Sequence, residues 1–186
     1  AIVLFGSQPF TSALVMSNIK WFKYCWVYEK TKAVNYLQAK KQAMKYHEDV
    51  CVFANGKTNY NPIMVSGEPY KKIYRNGNKD DAVYRKDTRK NGNVFENNGE
   101  RYPSSIIRFQ NPSGRGQFHP TQKPVALGQY LIKTYTNKGD LVLDNACGSG
   151  SFLLAAKLEE RNFIGIEKEE KYCEIARGRL RQDILL

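Results

Sequence analysis

Between Leu141 and Glu167 the sequence permits few folds. Leu141–Leu143 reads as a short buried strand and Asp144-Asn145-Ala146-Cys147-Gly148-Ser149-Gly150 as a tight turn, with a helix from Ser151 to about Glu160. Asn162–Ile166 is a second strand with Glu167 at its tip, 23 residues beyond Asp144. Each part has a physical use. Gly148 and Gly150 have no Cβ, so the backbone can turn sharply and a ligand can lie against it. The free N–H groups and positive dipole end of the next helix suit a carboxylate or phosphate. An acid at the tip of the second strand is placed to accept hydrogen bonds from ribose hydroxyls. The pattern is GxG without the third glycine of a dinucleotide fingerprint, which favours a nucleoside lacking pyrophosphate over NAD or FAD. S-adenosylmethionine, with a carboxylate and a ribose, fits. The alternative is a tight turn in a purely structural βαβ unit.

Regular periodicity surrounds this turn. Val125, Leu127, Leu131, Ile132 and Tyr135 mark one face of a helix that Asn137-Lys138-Gly139-Asp140 ends, and a last helix spans Glu170–Arg181. At the front, Ala1–Phe5 is a strand, Pro9 to about Ser17 a helix, Phe22–Tyr28 a strand, Asn35–His47 a helix and Val50–Ala54 a strand. Alternating β and α elements predict a doubly wound, mostly parallel sheet flanked by helices. Residues 55–117 break the pattern, being rich in Gly, Asn, Lys and Pro. They read as a loop-rich insertion with short strands around Ile73–Tyr74, Val83–Tyr84 and Ile106–Phe109. The expected division is therefore a core of residues 1–54 and 118–186 with an insertion over 55–117. Because the chain opens on Ala1 inside a strand, its N-terminus is expected to lie further upstream.

The net charge of +11 is unevenly placed: residues 20–119 hold 19 Lys/Arg against 9 Asp/Glu, while residues 120–186 hold 10 against 9. Such a segment is either a solvated basic surface or a patch that collects a polyanion such as DNA. Tyr60, Tyr70, Tyr74, Tyr84 and Tyr102, interleaved with the charges, tilt the choice toward nucleic acid. The Lys40-Lys41 pair with Lys45 stays open between phosphate contact and a wet helix face. Four scattered cysteines, Cys25, Cys51, Cys147 and Cys173, form no CxxC, so neither a disulfide framework nor a zinc site is expected and a reducing cytoplasm fits. No apolar run approaches the ~20 residues a membrane helix needs. His47 with Glu48 and Asp49 reads as a polar helix end rather than a metal site.

Several runs resemble the DNA amino-methyltransferases of permuted motif order, which methylate adenine N6 or cytosine N4. They are Phe118-His119-Pro120-Thr121-Gln122-Lys123-Pro124, Val142-Leu143-Asp144, Gly148-Ser149-Gly150-Ser151, Phe163-Ile164-Gly165-Ile166-Glu167 and Tyr172-Cys173-Glu174-Ile175-Ala176. The front of the chain, including Trp26–Thr31 and His47–Val50, is also similar to that family, so that about two thirds of the chain is covered. The resemblance implies a fold of the S-adenosylmethionine-dependent methyltransferase type. It also implies that His119, Thr121 and Lys123 line the methionine end of the cofactor, with Asp144, Ala146, Cys147, Gly148, Ser149, Gly150 and Glu167 forming the rest of its site. For His119, Thr121 and Lys123 the alternative is a capped helix start. Cys147 is expected to be a small apolar liner, since amino methylation needs no cysteine attack.

The family's catalytic signature, Asp/Asn/Ser-Pro-Pro followed by Tyr, Phe or Trp, is expected upstream of Ala1. No Pro-Pro pair occurs in this sequence, and Asn61-Pro62-Ile63 and Asn111-Pro112-Ser113 read as turns. No catalytic residue is therefore assigned. The expected function is site-specific methylation of double-stranded DNA from S-adenosylmethionine, adenine N6 ahead of cytosine N4, with this chain inactive alone. A non-catalytic DNA-binding remnant, or a methyltransferase of similar fold acting on RNA, is the alternative. An oligomer is possible.

Overall fold

In the computed structural model, residues 1–73, 94–112, 114 and 117–182 are described. They form two units, Ala1–Asn61 with Ser104–Leu186, and Pro62–Pro103. The expected strand at Val83–Tyr84, Tyr74 and Ser113 lie outside the described residues.

In the larger unit, β1 (Ile2–Gly6) leads through α1 (Phe10–Ser17) to β2 (Phe22–Lys30) and β3 (His47–Phe53). β3 lies in the middle of a four-stranded sheet ordered β1-β3-β2-β8, where β8 is Ile106–Phe109. Its central residues Val50, Cys51 and Val52 are fully buried, as expected of a strand covered on both faces. β1 shows the two-residue alternation of a strand with one covered face: Val3 and Phe5 pack on the core while Ile2 and Leu4 are exposed. Above the sheet lies α2 (Val125–Tyr135), whose Leu127, Leu131 and Tyr135 join Trp26, Tyr28, Val50, Val52 and Ile107 in one cluster. Fully burying side chains of this kind stabilises by roughly 1.5–3 kcal/mol each.

The second sheet is a parallel pair, β9 (Leu141–Asp144) with β10 (Asn162–Gly165), joined by α3 (Ser151–Leu158) and followed by α4 (Glu170–Arg181). Val142 and Phe163 pack on the cluster of Ile132, Ala155 and Ala156, so α2 and α3 share one side. Phe152 of α3 meets Phe5 of β1 edge-on, with ring centroids 5.8 Å apart. Leu141 and Leu143, both 61% exposed, point the other way with Ile164 and Ile166.

The βαβ unit is as expected, but the mostly parallel sheet is not. β3 runs antiparallel to both β1 and β2, and only β2 with β8 is parallel in the four-stranded sheet. The reason lies in residues 31–46. A parallel return from β2 would need a crossover, usually a helix, and the helix expected over Asn35–His47 is replaced by a single 3₁₀ turn, Tyr36–Gln38. Asn35 competes with helical hydrogen bonding. Its Oδ1 accepts the Lys45 amide at 2.6 Å and its Nδ2 donates to the Ala43 carbonyl at 3.2 Å, while the Val34 amide donates to the Lys45 carbonyl. The loop neck is closed and the chain reverses. His47, Glu48 and Asp49 consequently begin a strand rather than end a helix.

The smaller unit contains two antiparallel pairs, β4 (Val65–Ser66) with β7 (Glu100–Arg101) and β5 (Tyr70–Ile73) with β6 (Val94–Asn97). Among the described residues no helix is long and apolar enough to cross a membrane.

Candidate functional site

The turn after β9 is held from several directions. The Cys147 amide donates to the Ile166 carbonyl at 3.0 Å and the Ile166 amide to the Asp144 carbonyl at 2.9 Å, which stitches the turn to the end of β10. Gly150 opens α3 with φ +74°, and a Cβ there would lie 2.9 Å from the Ala176 Cβ on α4. Both the left-handed backbone and the close helix therefore demand glycine. Gly148, at φ +50°, faces the ring of His119, whose Cδ2 lies 3.6 Å from where a Cβ would stand.

Glu167 closes this arrangement. Its Oε2 accepts the Gly148 amide at 2.8 Å, and its Oε1 accepts the amides of Lys168 and Glu169 at 2.9 and 3.0 Å. Those hydrogen bonds, the Glu169 amide foremost, hold its carboxyl below the usual range, and the nearby His119 acts in the same direction. Asp144 differs. Burial pushes its carboxyl up; the Ala146 amide, 3.2 Å from Oδ1, draws it down, and the charge of Glu167 adds to the rise. Burial, then the charges of Asp144 and Glu167, push the Cys147 thiol up as well, which keeps it in the weakly nucleophilic thiol form.

His119 stands over the same turn, its ring 4.3 Å from that of Tyr172 in an edge-on contact. Its Nδ1 accepts the Thr121 amide at 3.2 Å, which leaves Nε2 as the proton-bearing nitrogen. Thr121 is exposed and turns its hydroxyl back to that Nδ1 at 3.1 Å. Ser149 is buried, and Ala146 is exposed beside Asp144. His119, Gly148 and Glu167 therefore converge, with Asp144 and Cys147 beside them. Lys123 turns elsewhere: its Nζ lies 3.1 Å from Oε2 of Glu48 and 5.2 Å from the centroid of the Phe5 ring.

Sequence reasoning assigned neither of two further residues to the site, and read Glu48 as part of a polar helix end. Glu48 sits between Lys123 and the buried Lys30, and is paired with both. Arg179, on α4, donates from one guanidinium nitrogen to the Ser149 carbonyl at 2.6 Å, the Ser151 hydroxyl at 3.1 Å and the Ser149 hydroxyl at 3.2 Å, and its guanidinium lies 5.3 Å from the centroid of Phe118. Tyr172, Ala176 and Arg179 follow an i, i+4, i+7 spacing, so one face of α4 carries all three toward the turn. That spacing was available in the sequence.

A family model described as DNA methylase, of the N6/N4 type, matches residues 2–178. The type II methyltransferase M.BglI of Bacillus subtilis is 53% identical over 58 residues, which are 31% of this chain and 17% of that protein. The match thus spans well under two thirds of the relative's length. Among solved structures, the M1.HpyAVI–SAM complex shares 27% identity with a TM-score of 0.66, over 97% of this chain and 74% of that one. PvuII DNA methyltransferase, described as cytosine-N4-specific, has a TM-score of 0.65 at 17% identity, covering 99% of this chain and 64% of that one, and shows a shared fold. The match from residue 2 to residue 178 is decisive: the chain belongs to the N6/N4 DNA methylase family, which uses S-adenosylmethionine.

Proposed function

We propose that this chain forms the cofactor crevice and part of the DNA-contacting surface of an enzyme that methylates an exocyclic amino group in double-stranded DNA, adenine N6 ahead of cytosine N4. The convergence of His119, Gly148 and Glu167 carries the reading. The groups present fit S-adenosylmethionine. A carboxylate offers four acceptor positions, of which Glu167 uses three, so Oε2 keeps one for a ribose hydroxyl. Asp144 and Cys147 line the floor beside it. His119, through the N–H of Nε2, offers a donor, and Thr121, Ala146, Ser149 and Gly150 shape the loops that carry these groups. When bound, the cofactor supplies a methyl group on a positively charged sulfur, ready for attack by a weakly nucleophilic amine.

No residue of this chain is assigned to catalysis, and the 186 residues alone are expected to bind without turnover, because the sequence contains no Pro-Pro-aromatic run. Residues 55–117 are proposed to select the target, with phosphate contacts fixing position and a few side chains reading bases. A reducing, cytoplasmic setting agrees with four free cysteines.

Calorimetry with S-adenosylmethionine tests the crevice. Binding is expected, and it should be lost in Glu167→Ala combined with Asp144→Ala; binding that survives both changes would refute the site. Methyl transfer by the protein containing this chain, read separately as N6-methyladenine and N4-methylcytosine, decides the target base.

A further inference from the structure

Four of the ten net positive charges of residues 20–119 lie outside the insertion. Residues 20–54 hold seven Lys against three acids, and between Glu29 and Glu48 there is no acid at all. Lys32, Lys40 and Lys41 fall in that acid-free stretch, are exposed, and make no ion pair or side-chain hydrogen bond among the described residues. Lys45 is different, since its Nζ donates to the Ser7 hydroxyl at 2.6 Å and so ties the loop neck to the turn after β1.

The loop is built rather than slack. Its neck is closed by Asn35 and by Val34 with Lys45, and its outer part is folded by the 3₁₀ turn and by hydrogen bonds from the Lys41 and Gln42 amides to the Gln38 carbonyl. On this frame the largest apolar side chains face outward: Leu37 is 85% exposed and Tyr36 is 69% exposed. Exposed apolar groups cost free energy in water, and here they stand among three unpartnered cations. A protein surface would offer acids one by one. A duplex offers phosphates at regular spacing, together with base steps against which an apolar side chain can wedge.

We propose that the loop of residues 31–46 is a second DNA-contacting surface, separate from the insertion, with Lys32, Lys40 and Lys41 on phosphates and Tyr36 and Leu37 against the bases or sugars between them. The proposal rests on the reading that this chain acts on DNA.

The test is a fluorescence titration of the full chain with a mixed-sequence 30-base-pair duplex over a range of salt. Replacing one phosphate-contacting cation lowers the slope of log K against log salt by about 0.9. The triple variant Lys32→Gln, Lys40→Gln, Lys41→Gln is expected to lower the slope by about 2.7 on that basis, and its S-adenosylmethionine affinity should be unchanged. Leu37→Ala is expected to weaken duplex binding several-fold with the slope unaltered. An unchanged slope in the triple variant, with cofactor binding intact, would overturn this inference alone. Failure of the unaltered chain to bind both duplex and cofactor would overturn the functional reading along with it. Unchanged duplex binding alongside capture of an acidic protein through the three lysines would assign the loop to a protein partner and overturn the DNA assignment.

Discussion

Oε2 of Glu48 lies 3.1 Å from Nζ of Lys123, and the same carboxylate, through Oε1, pairs with the buried Lys30. Three segments meet there: the end of β2, the start of β3 and the run that leads into α2. Lys123, which the family resemblance assigns to the cofactor, directs its charge to a protein carboxylate and rests over the Phe5 ring. Its physical effect is to fix the His119–Lys123 run against the sheet, and so to hold His119 over the glycine turn.

Removing Glu48 should cost more than removing an exposed acid. Breaking a fully buried ion pair from one side costs about 3–5 kcal/mol, because the remaining charge is left without compensation. The side chains of Glu48 and Lys123 keep 19% and 23% exposure, so water recovers part of that loss. Glu48→Ala is expected to destabilise by about 2 kcal/mol, with a fall in Tm on the order of 5 °C. Differential scanning calorimetry measures it, and a change within 1 °C would show that the cluster contributes nothing net.

The same carboxylate sets a pH dependence. Burial pushes Glu48 up, but the hydrogen bond from Lys30 and the charge of Lys123 outweigh it, and its carboxyl ends below the ordinary glutamate range. A group whose folded pKa is depressed binds its proton more readily in the unfolded chain, so its stabilisation is present above the unfolded value. That stabilisation is lost as pH falls through the folded value. Between pH 6 and pH 3 the Tm of the unaltered protein should therefore drop more steeply than that of Glu48→Gln. Parallel curves would exclude Glu48 as a source of acid lability.

Much of the unit around the glycine turn was legible in the sequence because its signals are local. The turn at Asp144–Gly150 and the helices over Val125–Tyr135 and Glu170–Arg181 depend on periodicity or glycine within a few residues, whereas the strand at Ile106–Phe109 was expected only as part of the insertion and instead joins the four-stranded sheet. What was not legible depends on distant partners. The helix expected over Asn35–His47 had adequate Ala, Gln and Lys content, yet Asn35 found Lys45 and Ala43 across a loop neck. Losing that helix also explains why the sheet is mixed rather than mostly parallel. Glu48 could not be singled out, since its meaning comes from Lys30 on the neighbouring strand and Lys123 far along the chain.

Arg179 is expected to govern how firmly the glycine turn is held. It gives three hydrogen bonds to Ser149 and Ser151 and covers Phe118, while burial lowers its pKa. A hydrogen bond from a charged donor contributes about 1.5–3 kcal/mol where the partner would otherwise be unsatisfied. Arg179→Gln should weaken S-adenosylmethionine binding about tenfold, and Arg179→Lys, which keeps the charge and a single donor nitrogen, should recover part of it. Calorimetric affinities equal to that of the unaltered chain in both variants would reduce Arg179 to a surface contact of α4.

Gly150 offers a double test of why the turn has its sequence. Alanine there would hold φ at +74° and bring its Cβ to 2.9 Å from the Ala176 Cβ, so two separate costs add. The backbone cost of a left-handed non-glycine residue is about 1–2 kcal/mol, and overpacking typically costs a further 1–3 kcal/mol. Gly150→Ala is expected to lower stability by about 3 kcal/mol in chemical denaturation. Ala176→Gly removes the opposing methyl but leaves the Ala176 Cα 3.3 Å from the new Cβ, so adding it to Gly150→Ala should return much of the packing part while the backbone part stays lost. Because the two residues touch, the double change should be non-additive by about 1 kcal/mol or more. Strict additivity would mean that α4 moves aside freely, and then the contact between Gly150 and Ala176 would not be what fixes the turn.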